Sequence, residues 1–140
     1  MTFDLDHVNR LSDNDIKTLF GHQDLSTQSQ IRQGIAAKNF NYLMQILQTY
    51  DGELDNVIYT VLQTMIDLDK LVGARYGQSD IKDYVKLWKP ADIYYMFMHA
   101  YSELKKLRSN SSYNVYNSIV YLFGLLNFSS IPSVEEMMKL

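Results

Sequence analysis

The 140-residue sequence contains no cysteine, and that absence removes several chemistries at once. Disulfides, thiolate metal sites and a thiol nucleophile are excluded. The chain asks for no oxidising compartment, so the cytoplasm is the expected location. Long apolar runs are missing as well. The longest, Ile93–Met98 and Ile119–Leu126, fall well short of the ~20 residues that span a bilayer. Both are expected to be core or interface. Met1–Arg10 carries Asp4 and Asp6 and lacks the basic start and apolar stretch of a signal peptide. Proline occurs only as Pro90 and Pro132, and both positions read as the approach to a helix.

Motifs for nucleotide and acyl chemistry are also lacking. No G-x-G-x-x-G, G-x-x-x-x-G-K-[ST] or G-x-S-x-G occurs, and no strand–turn–helix context is expected to carry one. The acidic run Asp51-Gly52-Glu53-Leu54-Asp55-Asn56 lacks the residue order of a calcium loop and reads as a turn plus helix start. Three histidines, His7, His22 and His99, fall in separate segments, and only His99 is followed by a carboxylate, Glu103, one helical turn on. A lone pair at that spacing reads as a surface or interface ion pair rather than half a metal site. No catalytic residue, metal or cofactor is therefore assigned, and the chain is not expected to be an enzyme.

What the sequence does hold is an ordinary globular balance, 46% apolar and 21% charged residues, in a length typical of one domain. The net charge of −3 conceals an asymmetry. Residues 1–80 carry six basic and eleven acidic side chains, a charge of −5, and residues 81–140 carry seven and five, a charge of +2. A dipole of that size can orient a partner but does not call for nucleic acid. Eleven tyrosines, with abundant Asn, Gln and Ser, fit an AT-rich genome such as that of a low-GC bacterium or its phages. They also fit a contact surface, because tyrosine offers rigid area with a polar tip.

Periodicity points to an all-α fold, a single-domain bundle of about five to seven helices over residues 1–140, with 1–11 as a flexible N-terminal segment. Ser12 caps a short first helix that stops at Gly21. From a cap at Ser26, the positions Ile31, Ile35, Phe40, Leu43, Leu47 and Tyr50 form one stripe. Gly34 either splits this segment or admits a close neighbour. Leu54, Ile58, Val61, Met65, Leu68 and Val72 make a seam-like helix over Glu53–Val72. Ser79 caps a short segment with Ile81, Tyr84, Val85 and Trp88 inward and Lys82, Lys86 and Lys89 outward. Pro90 opens a helix to about Arg108, whose run Ile93–Met98 is apolar all round and marks a central helix or interface. Tyr113–Phe128 could be strand by content, but its length favours helix. Ser133-Val134-Glu135-Glu136 is a capping box for a short terminal helix.

Two surfaces are candidates for function. Tyr94, Tyr95, Met96, Met98 and Tyr101 cannot all face one core from one helix, so some should meet a second layer, another subunit or a partner protein. This favours a non-catalytic protein-binding helical protein, such as a small inhibitor, an immunity or anti-defence factor, or an assembly adaptor. Its partner would be another, basic protein, with a homodimer as a further arrangement and no membrane. The alternative is a DNA-binding regulator using Lys82, Lys86 and Lys89 beside Tyr84 and Trp88. The acidic balance of the chain makes nucleic acid the weaker expectation.

Overall fold

The computed structural model describes residues 25–73, 80–110 and 112–139. The expectations for residues 1–11, for a helix between Ser12 and Gly21, for His7 and His22, and for a cap at Ser79 lie outside the described residues. Within them the fold is all-α, with six α-helices, one 3₁₀ helix and no strand. In chain order the helices are α1 (Leu25–Ala36), α2 (Phe40–Thr49), α3 (Asp55–Gly73), a 3₁₀ helix (Lys82–Leu87), α4 (Pro90–Ser109), α5 (Val115–Leu125) and α6 (Val134–Met138). Among the described residues no helix is long and apolar enough to cross a membrane.

The central element is α3. It buries Asn56 to Leu62 without interruption, then Thr64, Met65, Ile66 and Leu68, and it packs against α1, α4, α5 and the 3₁₀ helix. Two threonines sit in this helix without unmet polar groups. Thr60 Oγ1 donates to the Asn56 carbonyl at 2.8 Å and Thr64 Oγ1 to the Thr60 carbonyl at 2.6 Å, the local back-bonding open to a short hydroxyl side chain. The expected seam holds from Ile58 to Leu68, whereas Val72 is exposed. The all-round helix is thus α3 and not, as the Ile93–Met98 run suggested, α4.

Helix α1 is already helical at Leu25, the first described residue, so the expected Ser26 cap lies within the helix. It is split from α2 at Lys38, not at Gly34. Lys38 has φ 55°, its N–H donates to the Ile35 carbonyl, and the Asn39 N–H donates to the Gly34 carbonyl at 2.9 Å. This is a Schellman closure with lysine where glycine is usual. Asn39 then caps α2, accepting the Tyr42 N–H at 3.2 Å. Gly34 serves the closeness of the two helices instead. A Cβ there would stand 2.7 Å from Leu43 Cδ2.

Lys38 is tied to residues distant in sequence. Its Nζ lies 4.6 Å from the Trp88 ring centroid and 3.9 Å from the carboxylate of Asp92, which is buried. Trp88 Nε1 donates to the Ala36 carbonyl at 2.8 Å. Asp92 also accepts the Ile131 N–H at 3.0 Å and the Lys89 N–H at 3.4 Å, the latter satisfying an otherwise orphan donor at the start of α4. Pro90 holds the first position of α4 as expected. Asn114 caps α5 through the Asn117 N–H, so Tyr113–Phe128 is helical over Val115–Leu125. Ser133 caps α6 through the Glu136 N–H at 3.1 Å, which is one half of the expected capping box.

Candidate functional site

Helix α4 carries the site. Its buried residues, Asp92, Ile93, Met96, Phe97, His99, Ala100, Glu103 and Leu104, fall on one side at 3.6 residues per turn. That side includes two ionisable groups. His99 is 1% exposed and Glu103 4%, so the pair is not on the surface as its spacing suggested. Nor do the two bond to each other.

His99 Nε2 stands 2.8 Å from the Pro132 carbonyl oxygen. A carbonyl only accepts, so this nitrogen holds the proton. Nδ1 is therefore the acceptor, and Tyr121 Oη donates to it across 3.0 Å. The two rings meet edge-on, 5.6 Å between centroids. Burial holds the imidazole below its ordinary pKa, outweighing the Pro132 hydrogen bond and the charge of Glu103. Burial also raises the Tyr121 phenol, with Glu103 adding to the rise. Glu103 Oε2 accepts from Tyr113 Oη at 2.9 Å and lies 3.5 Å from Lys106 Nζ. Lys106 in turn stands 6.0 Å from the Tyr113 ring centroid.

These side chains border a cleft of about 330 Å³ between α4, α5 and α6. His99, Ser102, Glu103, Lys106 and Tyr121 form its polar wall, and Val134, Met137 and Met138 its apolar lip. Met138 is 82% exposed. Compared with known proteins, the chain matches no family model, no curated protein and no solved structure. Both His99 nitrogens are engaged, which leaves no lone pair for a general base unless Tyr121 leaves. Among the described residues, no group of three His, Asp or Glu stands close enough to hold a metal ion.

The residues singled out from sequence divide. Met96 is a correction. It is fully buried, because it lies on the same side of α4 as Ala100 and Glu103, and it belongs to the core. Tyr94, Tyr95, Met98 and Tyr101 are half-buried against the core and lie on the other side of the helix. Tyr94 and Tyr95 pack edge to face at 5.8 Å, Tyr101 stacks on Phe97 at 6.3 Å, and Lys105 Nζ sits 5.3 Å from the Tyr101 ring centroid.

Lys82, Lys86 and Lys89 are all exposed, but they do not share a helical face. Lys82–Leu87 is 3₁₀, in which residues four apart point about 120° from each other, and Lys89 lies beyond it at the cap of α4. Exposed Asp83 stands among them. Trp88 is buried with its N–H bonded, so it cannot stack on a base. Two further basic residues have partners within the chain. Arg32 pairs with Asp67 at 2.7 Å and Asp80 at 3.1 Å, and Arg108 donates to Tyr59 Oη at 2.6 Å.

Sequence reasoning missed Tyr113, Tyr121, Lys106 and the Val134–Met138 lip. One signal was available. Two ionisable residues four apart on an apolar helix side need polar partners, and the tyrosines following α4 are the nearest supply.

Proposed function

We propose that the chain is a non-catalytic protein-binding helical protein and that the cleft between α4 and α6 is its contact site. The observation that carries this reading is an open cleft beside an almost bare Met138, whose histidine is already bonded at both ring nitrogens. A site whose histidine is bonded at both nitrogens and whose lip is an adaptable methionine offers recognition, not a reactive group. The tyrosines on the outer side of α4 extend the area available to a partner. Small inhibitors, immunity or anti-defence factors and assembly adaptors act in this way, and the cysteine-free sequence suits the cytoplasm.

The competing reading, a DNA-binding regulator, draws on Lys82, Lys86 and Lys89. It is weakened by their divergence around a 3₁₀ helix and by the burial of Trp88.

One comparison separates the two. Wild type, Met138→Glu and Lys86→Glu serve as parallel baits in extract of the native host, with a mobility shift on duplex DNA at low and moderate salt. Both substitutions fall at exposed positions. The protein-binding reading expects a partner retained by wild type and Lys86→Glu and lost with Met138→Glu. Salt-sensitive DNA binding that disappears with Lys86→Glu and survives Met138→Glu overturns it.

A further inference from the structure

We propose that the group entering this cleft is a basic side chain, a Lys or Arg of the partner protein, with Glu103 as its counter-ion. The inference rests on the α4–α6 cleft being the contact site and states what fills it.

Glu103 is the reason. Its carboxylate is buried, and it takes one short hydrogen bond, from Tyr113. An ionised carboxylate has room for about four such bonds, and burial makes compensation necessary. The chain supplies its own cation only loosely. Lys106 Nζ stands 3.5 Å from Oε2, and its side chain is 54% exposed. Only the lysine end of this pair is exposed, so Lys106 can be exchanged for another cation, although the buried carboxylate cannot cheaply be left without one. A cation in that place has a carboxylate on one side and the Tyr113 ring on the other. An incoming Lys or Arg would take the position as Lys106 turns out to solvent.

The rest of the cleft suits the stem of such a side chain. Val134, Met137 and Met138 give an apolar lip for its methylenes. His99 is held below its ordinary pKa by burial and sets no positive charge against the newcomer near neutrality. Glu135 and Glu136 on α6 are exposed and place negative charge on the helix that carries the lip, in a half of the chain that is +2 as a whole. An anionic occupant would meet the buried Glu103 carboxylate. The volume is at the lower end for small-molecule pockets, which fits one side chain.

The test is a titration of the full chain followed by NMR, reading the His99 ring and the methionine methyl signals. N-acetyl-argininamide is the probe and N-acetyl-citrullinamide its neutral isostere. The arginine probe should shift the His99 and Met137/Met138 signals saturably, with the isostere weaker by about tenfold or more. Glu103→Gln should remove that preference, and Lys106→Ala, at an exposed position, should tighten arginine binding severalfold. Equal binding of the two probes, no shift from either, or weaker arginine binding in Lys106→Ala overturns the proposal. If the probes bind alike while partner capture still depends on Met138, the contact-site reading stands and only the basic occupant falls. If capture ignores Met138, both fall.

Discussion

His99 and Asp92 show what burial demands of a single polar side chain. His99 is neutral and donates once, to Pro132, while accepting from Tyr121. Its pKa is lowered in the fold, so the unfolded chain binds more protons once the pH falls below the ordinary histidine value. Stability should therefore be complete above pH ~6.5 and decline as the pH falls toward the folded pKa, by at most about 1.4 kcal/mol per pH unit. Thermal unfolding of wild type and His99→Gln between pH 5 and 7.5 checks this. The variant should show a flatter profile, and an equally steep one assigns the dependence to another group. Asp92 is the opposite case, an ionisable group with a basic neighbour. Asp92→Ala leaves the Ile131 N–H without its acceptor and Lys38 without its anion, with an expected loss of about 3–5 kcal/mol in urea unfolding. Asp92→Asn retains an acceptor and should lose less. A loss below ~1 kcal/mol for the alanine variant would place the junction elsewhere.

At the scale of elements, the joint between α1 and α2 shows which features a sequence can disclose. Gly34 was visible as an anomaly in an apolar stripe, with a split or a close neighbour as its two explanations. Only the second is true, since the split comes at Lys38. Nothing in the local pattern marks a lysine for the left-handed region, which costs about 1–2 kcal/mol for a residue with a Cβ. The offset is nonlocal, from the Trp88 ring fifty residues away and from Asp92. Gly34→Ala tests the close approach. Alanine favours the helix by about 1 kcal/mol, but its Cβ would press on Leu43 at Cδ2 and Cγ, 2.7 and 3.0 Å away. Overpacking typically costs about 1–3 kcal/mol, so a net loss is expected in denaturant unfolding. A more stable variant would show that Leu43 can give way. Caps were more legible. Pro90 and the Ser133 cap act through neighbours three or four residues off, within reach of a sequence pattern.

Over the whole molecule, the helical class was legible because period and length suffice for it. The identity of the central helix was not. Ile93–Met98 read as a central helix or an interface by its apolar run, yet α3 holds the middle with buried Thr60 and Thr64, because back-bonded hydroxyls hide the polarity that a pattern registers. The cleft was less legible still. Its walls come from α4, α5 and α6, and its polar members are linked by hydrogen bonds across 10, 22 and 33 residues. Such a constellation exists only after packing.

The central claim is that this cleft meets a partner protein. A photo-crosslinking residue placed at Met138, compared with one at Lys86, tests it most directly in cells of the native host. The account predicts one discrete protein adduct from position 138 and none from position 86. Adducts from position 86 with none from position 138 would contradict it.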